Sequence, residues 1–450
     1  MSNEPSTAEA PQSSGEKRID MTVLLIGLIT YGIGQTLLYI VLGPIIRDIG
    51  INEIQYGALI SASNVAIVLT APWWGRTSQR IGRKPVLIIG LLGYAVGYAL
   101  LAFGVQIGMD GVVTADATLP AWVEGTPAWL NATIVIIASP IFLLLMGARL
   151  VYGALASAIQ PAATAYIADT TDEEGRTKGM ALVSMTAGLG TIIGPVFAIA
   201  FARLGVLAPM YVAAAMAVVS AILVGKYITE PEKHTDANAA NDGDVTLSWF
   251  DKRIFPYLLG WVIGFMIFTA MQPLVPFLAQ DQLGLTETSD ITDVVGIALL
   301  CMGLVNVIVL ITLMQRIKLA PPVTLRIAFV LFGLVLLCLP FVTSTWAFYL
   351  TFAGMGFAFS LIVPNLNSGA TLSVKPHEQG ATAGLLTAAP TLGMIFGPFG
   401  GTVLYRLVDP TFPIFVSAGI SLLMGLYFCF IKPPQSAATE TDAGDSQGAK

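Results

Sequence analysis

Apolar residues along this chain fall into about twelve runs, each ended by a short polar segment and each long enough to cross a bilayer core of ~30 Å as a helix. The approximate spans are 21–43, 56–75, 86–107, 133–167, 179–202, 207–226, 254–279, 291–314, 325–342, 346–372, 382–404 and 413–431. The fourth run is too long for one simple span, so its outer end is placed near Pro140. The pattern predicts an all-α membrane protein with twelve transmembrane helices. A polar stretch containing EPEKHTDANAANDGD separates six runs from six and reads as a flexible linker, with Trp249 and Phe250 suited to a membrane interface. The predicted organisation is a tail over 1–20, a six-helix bundle over 21–226, a linker over 227–253, a second six-helix bundle over 254–431 and a tail over 432–450.

The pattern also repeats. A shift of 203 residues places Gly153 on Gly356, Ser157 on Ser360, Pro161 on Pro364, Gly190 on Gly393, Gly194 on Gly397 and Pro195 on Pro398. The fourth and fifth runs are therefore copies of the tenth and eleventh. The first run aligns with the seventh through Pro44 and Pro276, a shift of 232. The difference is an extended segment around 108–132 with no counterpart in the second half; its Asp110, Asp116, Glu124, Trp122 and Trp129 suggest an acidic cap at the outer membrane surface, with a binding role as the alternative. Two halves related by an axis along the membrane normal would place a substrate site between them near mid-membrane.

Composition excludes a soluble globular domain: 55% of residues are hydrophobic and 11% charged, against roughly 25% charged in soluble domains. No small-residue cleavage site follows a short apolar core, so the first run reads as an uncleaved anchor behind a disordered polar tail. Charge then orients the chain. All but four of the 22 Lys and Arg fall on the side that holds the termini and linker; Arg47, Arg203 and Arg406 lie opposite, and Arg149 lies within a run. That bias assigns both termini and the linker to the cytoplasm. The net charge of −6 gives no reason to expect a nucleic-acid partner. Cys301, Cys338 and Cys429 sit in apolar runs and read as inert buried packing thiols; no metal-binding spacing exists, and no cofactor or metal is expected.

Between the second and third runs lies Gly75 to Leu87, GRTSQRIGRKPVL, with four cations in a tight loop. It resembles the G-x-x-x-D-R-x-G-R-[KR]-x-x-L loop of the major facilitator superfamily. Gly75, Arg80, Gly82, Arg83, Lys84 and Leu87 match, while Gln79 replaces the usual Asp. The resemblance covers about 21–431 and implies the major facilitator fold, a monomer of two six-helix bundles. It also implies that Arg83 pairs with an acid at the inner end of the fourth helix, where Asp169 stands, to form a conformational latch. Without the charge at Gln79 that latch is expected to be weaker.

Two further stretches resemble the drug-exporter branch, which includes tetracycline exporters. LLMGARLVYGA resembles its R-x-x-Q-G-x-G pattern at Arg149 and Gly153, with Tyr152 and Leu155 departing from it. The comparison implies a role for Arg149 in proton or substrate coupling; hydrogen bonding to backbone carbonyls is the structural alternative. GLGTIIGPVFA resembles the antiporter pattern G-x-x-x-G-P-x-x-G-G at Gly190, Gly194 and Pro195, with Ala198 and Ile199 departing from it. Pro195 is expected to bend the helix and the glycines to let a helix of the other bundle approach. GMIFGPFGG repeats the element with Gly393, Gly397 and Pro398.

Other candidates come from spacing. Tyr31, Gln35 and Tyr39 stand at i, i+4 and i+8. Gln160 lies three turns beyond Arg149 on the same expected face. Trp261, Phe265, Phe268 and Gln272 form a second stripe, and Asn365 and Asn367 follow Pro364. Asn64 and Asn306 are weaker candidates. In the family fold the first, fourth, seventh and tenth helices line the cavity, which makes these stripes its expected walls. No Asp, Glu or His lies deep in any span. A proton is the candidate coupling ion, without an acid in the membrane to carry it, and a lone intramembrane cation disfavours a cationic substrate.

The expected function is export of an amphipathic organic solute, a drug or a secreted metabolite such as a siderophore, across the bacterial inner membrane by alternating access. An importer of a small metabolite and a non-transporting sensor or scaffold are the alternatives. A sensor would call for an extra soluble domain. An enzyme would call for clustered acids, His or Cys, and the spans offer none.

Overall fold

A computed structural model describes residues 14–113, 139–171, 173–231, 247–314, 316 and 319–432. Among these residues there is no strand. In chain order the helices are α1 (Ile19–Ile45), α2 (Glu53–Ile81), α3 (Arg83–Met109), α4 (Pro140–Thr170), α5 (Glu173–Ala202), α6 (Ala208–Tyr227), α7 (Phe255–Leu283), α8 (Thr288–Thr312), α9 (Pro321–Phe341), α10 (Thr345–Leu372), α11 (Gln379–Leu407) and α12 (Phe412–Tyr427). Ten of them are long and apolar enough to cross a membrane; the apolar part of α5, Ile192–Ala202, and α12 are shorter. The outer segment around 108–132 lies mostly outside the described residues.

Several helices carry their own start signals. Asn52 and Gln55 cap α2 reciprocally, each side chain accepting from the other's backbone N–H at 2.9 Å. Ser139 and Ser344 cap α4 and α10, and α4 begins at Pro140, where the outer end of the fourth span was expected. Helices also run past their apolar stretches. Gly75, Arg76 and Arg80 are helical in α2, and Arg83 and Lys84 open α3. The expected 75–87 loop therefore reduces to Gly82, because Arg and Lys are good helix formers once past the lipid.

Within the first half, α1 packs on α5 and α6, α3 on α4 and α6, and α2 on α4. The second half mirrors this: α7 packs on α11, α8 on α10, and α9 on α10 and α12. The halves meet through α2 with α11 and α5 with α8. Gly57 and Gly296 lie near the starts of α2 and α8, toward Gly50, and Gly43 near the end of α1 adds a contact with α7. A Cβ at Gly43 would overlap Pro276, and one at Gly296 would stand 2.8 Å from Ile199 Cδ1. The other end, marked by Gly82 and the linker, is where α2 exposes Leu69 and Trp73.

The glycines of α5 do not serve the contact expected of them. A Cβ at Gly190 would come within 2.6 Å of Gly32, and one at Gly194 would stand 3.1 Å from the Ile33 carbonyl and overlap Thr36. Both partners are on α1, so these glycines set packing inside the first half. Gly393 and Gly397 do the same on α11, each 2.6 Å from α7 backbone atoms when given a Cβ. The motif is symmetric because α5–α1 and α11–α7 are copies of one packing unit. Helix α5 continues through Pro195, and its contact with the other half comes near Ile199. The thiols also depart from expectation. Cys301 is half-buried, Cys338 and Cys429 are exposed, and Cys429 lies just beyond α12. Membrane proteins present apolar faces outward to lipid, so an apolar setting does not imply burial.

Candidate functional site

Arg149 is 5% exposed, in the middle of α4. Burying that charge costs roughly 3 kcal/mol or more without partners. Its partners are few. Nη2 donates to Ser63 Oγ at 2.5 Å, and the guanidinium carbon stands 4.6 Å from the centre of the Tyr152 ring. Nε is buried with no hydrogen-bond partner, and among the described residues Arg149 joins no ion pair. The guanidinium is therefore held in place yet keeps a free donor.

It faces a small cavity with room for about one water molecule, lined by Gly34, Gln35, Leu38, Tyr39, Ile60, Asn64, Tyr98, Arg149 and Tyr152. All of these belong to the first half. Helix α1 is irregular beside it: Leu38–Leu42 is a π-helical turn, followed by Pro44, which cannot donate to the preceding turn. The Leu38 carbonyl accepts from the Tyr56 hydroxyl at 3.0 Å. Gln35 Nε2 donates to the Tyr152 hydroxyl at 2.7 Å, and the Tyr98 hydroxyl donates to the Gly34 carbonyl. Behind the cavity the rings of Tyr94 and Tyr98 stack at 4.7 Å, Tyr152 lies 5.5 Å from Tyr98, and Tyr31 stands 6.3 Å from Tyr94. The Tyr94 hydroxyl has no hydrogen-bond partner. This is a cation in a cage of phenols and carboxamides with no carboxylate among the described lining residues.

The sequence candidates separate accordingly. Arg149, Gln35 and Tyr39 line the cavity, and Tyr31 packs into its tyrosine wall. Gln160 does not join them: α4 breaks its regular pattern at Ser157 and Ala158, which rotates Gln160 to an exposed position. Gln272 sits half-buried in a short 3₁₀ turn at Pro273. Asn365 donates back to the Leu361 carbonyl of its own helix at 2.8 Å. Trp261, Phe265, Phe268 and Phe359 form a separate aromatic cluster in the second half, with Phe268 and Phe359 stacked at 4.2 Å. Tyr98 and Tyr152 were missed. Tyr94 and Tyr98 stand at i, i+4, a stripe that is legible in the sequence.

At the Gly82 end, Arg83 Nε pairs with Asp169 Oδ2 at 2.8 Å and its Nη1 donates to Ser78 Oγ at 2.6 Å. Glu230 adds a partner that the motif does not contain. Its two oxygens accept the Arg83 and Lys84 backbone N–H groups at 2.5 and 2.9 Å, an anion at the exposed start of α3. Gly82 is required here: its φ is +103°, and a Cβ would stand 2.7 Å from the Glu230 carboxylate. Gln79 is exposed, as is Arg80. On the same end of the second half, Arg253 pairs with Glu378 at 2.8 Å and holds its carboxyl down at about 2.

At the Gly50 end a second ionic cluster joins the two halves. Arg47 binds Glu53 at 2.7 Å and Asp281 at 2.8 Å, and Gln280 Nε2 reaches the Pro44 carbonyl at 3.2 Å. Burial works against the Arg47 charge, but Asp281 and Glu53 outweigh it and raise its pKa further. Arg406 approaches Glu53 at 3.5 Å, and the Tyr405 hydroxyl donates to Asp281.

Comparison with known proteins places this geometry. The model of the Major Facilitator Superfamily matches residues 24–389 and 313–448. Multidrug resistance protein 2 of Bacillus subtilis (strain 168) is 23% identical over 429 residues, covering 92% of this chain and 95% of that protein. Tetracycline resistance protein, class B, of Escherichia coli is 25% identical over 403 residues, covering 86% and 90%. Among solved structures, a bacterial homologue of the human lysosomal transporter Spinster, inward-facing and occupied, superposes with a TM-score of 0.66 at 13% identity, covering 93% of this chain and 97% of that one. The human organic anion transporter MFSD10 superposes with a TM-score of 0.58 at 19% identity, covering 93% and 100%.

Proposed function

From a chain that belongs to the Major Facilitator Superfamily, and is thereby a membrane transporter, we propose an exporter of amphipathic organic solutes whose polar or anionic head rests on Arg149. The observation that carries the reading is the free Arg149 donor in a tyrosine-lined cavity with no carboxylate. A cationic head would meet repulsion there; an acceptor-rich head would complete the guanidinium's hydrogen bonds. Drugs and secreted metabolites, carboxylate siderophores included, belong to that class. Similarity to drug-resistance proteins along nearly the whole chain supports outward transport.

With the termini in the cytoplasm, the Gly50 end is the outer one, and the conformation is closed outside. Transport is then a rocking of the two halves that breaks the α2–α11 and α5–α8 contacts and closes the Gly82 end. Everted membrane vesicles test the reading. Energised vesicles should accumulate an anionic aromatic substrate and should not accumulate its cationic analogue. Uptake of the cation alone would overturn the charge assignment, and movement in right-side-out vesicles only would overturn the direction.

The Arg83 cluster is the proposed latch. Because Asp169 and Glu230 already occupy Arg83, an acid at position 79 would be free to act across the Gly82 end. Gln79→Asp should therefore favour the state closed at that end. Spin-label distances across it should shorten; unchanged distances would refute the latch.

A further inference from the structure

One polar residue belongs to the cavity and to the seam between the halves at once. Asn64 lines the Arg149 cavity from α2. Its Nδ2 also donates to the Met394 carbonyl of α11, in the other half, at 2.8 Å. That carbonyl is available for a physical reason: its donor in a regular helix would be the N–H four residues on, and that residue is Pro398. The next residue completes the seam, with Phe399 N donating to Ser61 Oγ at 3.2 Å. Ser61 and Asn64 are three residues apart and share a face of α2. Gly57, one turn earlier on that face, packs so closely that a Cβ would stand 2.7 Å from the Pro398 carbonyl. The seam is therefore a stretch of α2 docked on the proline-interrupted turn of α11, and Asn64 is its member that also lines the Arg149 cavity.

We propose that Asn64 transmits occupancy of the cavity to the closed end. A substrate oxygen bound at Arg149 competes with the Met394 carbonyl for the Asn64 carboxamide. A charged acceptor makes the stronger hydrogen bond, so binding pulls Asn64 off α11 and loosens the α2–α11 seam. An empty carrier stays sealed outside, and a loaded one is released to open outward. The inference rests on the cavity being the substrate site.

The test uses the full chain in lipid nanodiscs. Cysteines replace the exposed Asp48 and Val408, with the three native cysteines changed to Ala, and double electron–electron resonance reads the distance across the Gly50 end. Without ligand, Asn64→Ala should shift the closed-to-open ratio about fivefold toward open, the size of one hydrogen bond. Pro398→Ala restores the helical donor to Met394 without touching the cavity, and it should produce the same shift. The double variant should go no further than either single one. Additive shifts, or no shift in Pro398→Ala, would overturn the link. Benzoate serves as the anionic probe. It should open the parent protein and leave the Asn64→Ala distances unmoved. Equal opening of both also overturns the proposal. If benzoate fails to bind by calorimetry, the anionic reading of the cavity is what fails, and the ligand-free distances still decide the role of Asn64.

Discussion

Arg149→Ala is expected to bind an anionic substrate about 10- to 100-fold more weakly and to lose most transport, the scale of a hydrogen bond made by a charged group. Among the described residues its side chain holds the only charge in the cavity lining, and its Nε is unmet by the protein. Removing it leaves the phenols and carboxamides, which still bind the neutral parts of a solute. Arg149→Lys keeps the charge but loses the planar fork and the grip on Ser63, so partial activity should remain. Binding to purified protein separates the roles. Unchanged affinity in Arg149→Ala, alongside lost transport, would remove Arg149 from recognition and leave it in coupling or packing.

Gly57→Leu should trap the transporter open at the Gly50 end while leaving its expression near normal. The Cβ would overlap Thr402 and crowd the Pro398 carbonyl, both in the other half. Neither helix can yield, since the obstructing atoms are backbone and a hydroxyl already bonded to that carbonyl at 2.9 Å. Overpacking of this kind costs about 1–3 kcal/mol, which shifts the closed-to-open ratio by roughly five- to 150-fold. Transport should fall with it, because the cycle needs both states. Gly194→Leu is the contrast. Its obstruction is with Thr36 inside the same half, so folding and yield should suffer rather than the cycle. Normal yield with blocked transport in Gly194→Leu would show that its packing site, too, moves during the cycle.

Much of the candidate site was legible because chemistry in a bilayer is sparse. One Arg inside a span had to find polar company, and the stripe of Tyr31, Gln35 and Tyr39 supplied part of it. Gln160 shows where periodicity runs out. Eleven residues make three turns only if the helix is regular, and the irregular turn at Ser157 is invisible in the residue pattern. Glu230 was unreadable for a different reason: it lies 146 residues from the N–H of Lys84 that it caps, and nothing local marks the pair.

The sequence by itself determined the medium, the helices and the family. Those follow from runs of apolar residues, which act locally through the cost of placing backbone and charge in lipid. It also set the duplicated plan, because equivalent prolines and glycines recur at a fixed shift. Only the tertiary structure decided which helix each small residue meets. The glycines of α5 and α11 turned out to serve their own halves, while Gly43 and Gly57, outside any recognised motif, serve the seam. A glycine states that something comes close and not what it is. The same holds for Pro398. Its sequence says that a carbonyl is left without its donor; only the folded chain could say that Asn64, from the other half, takes it.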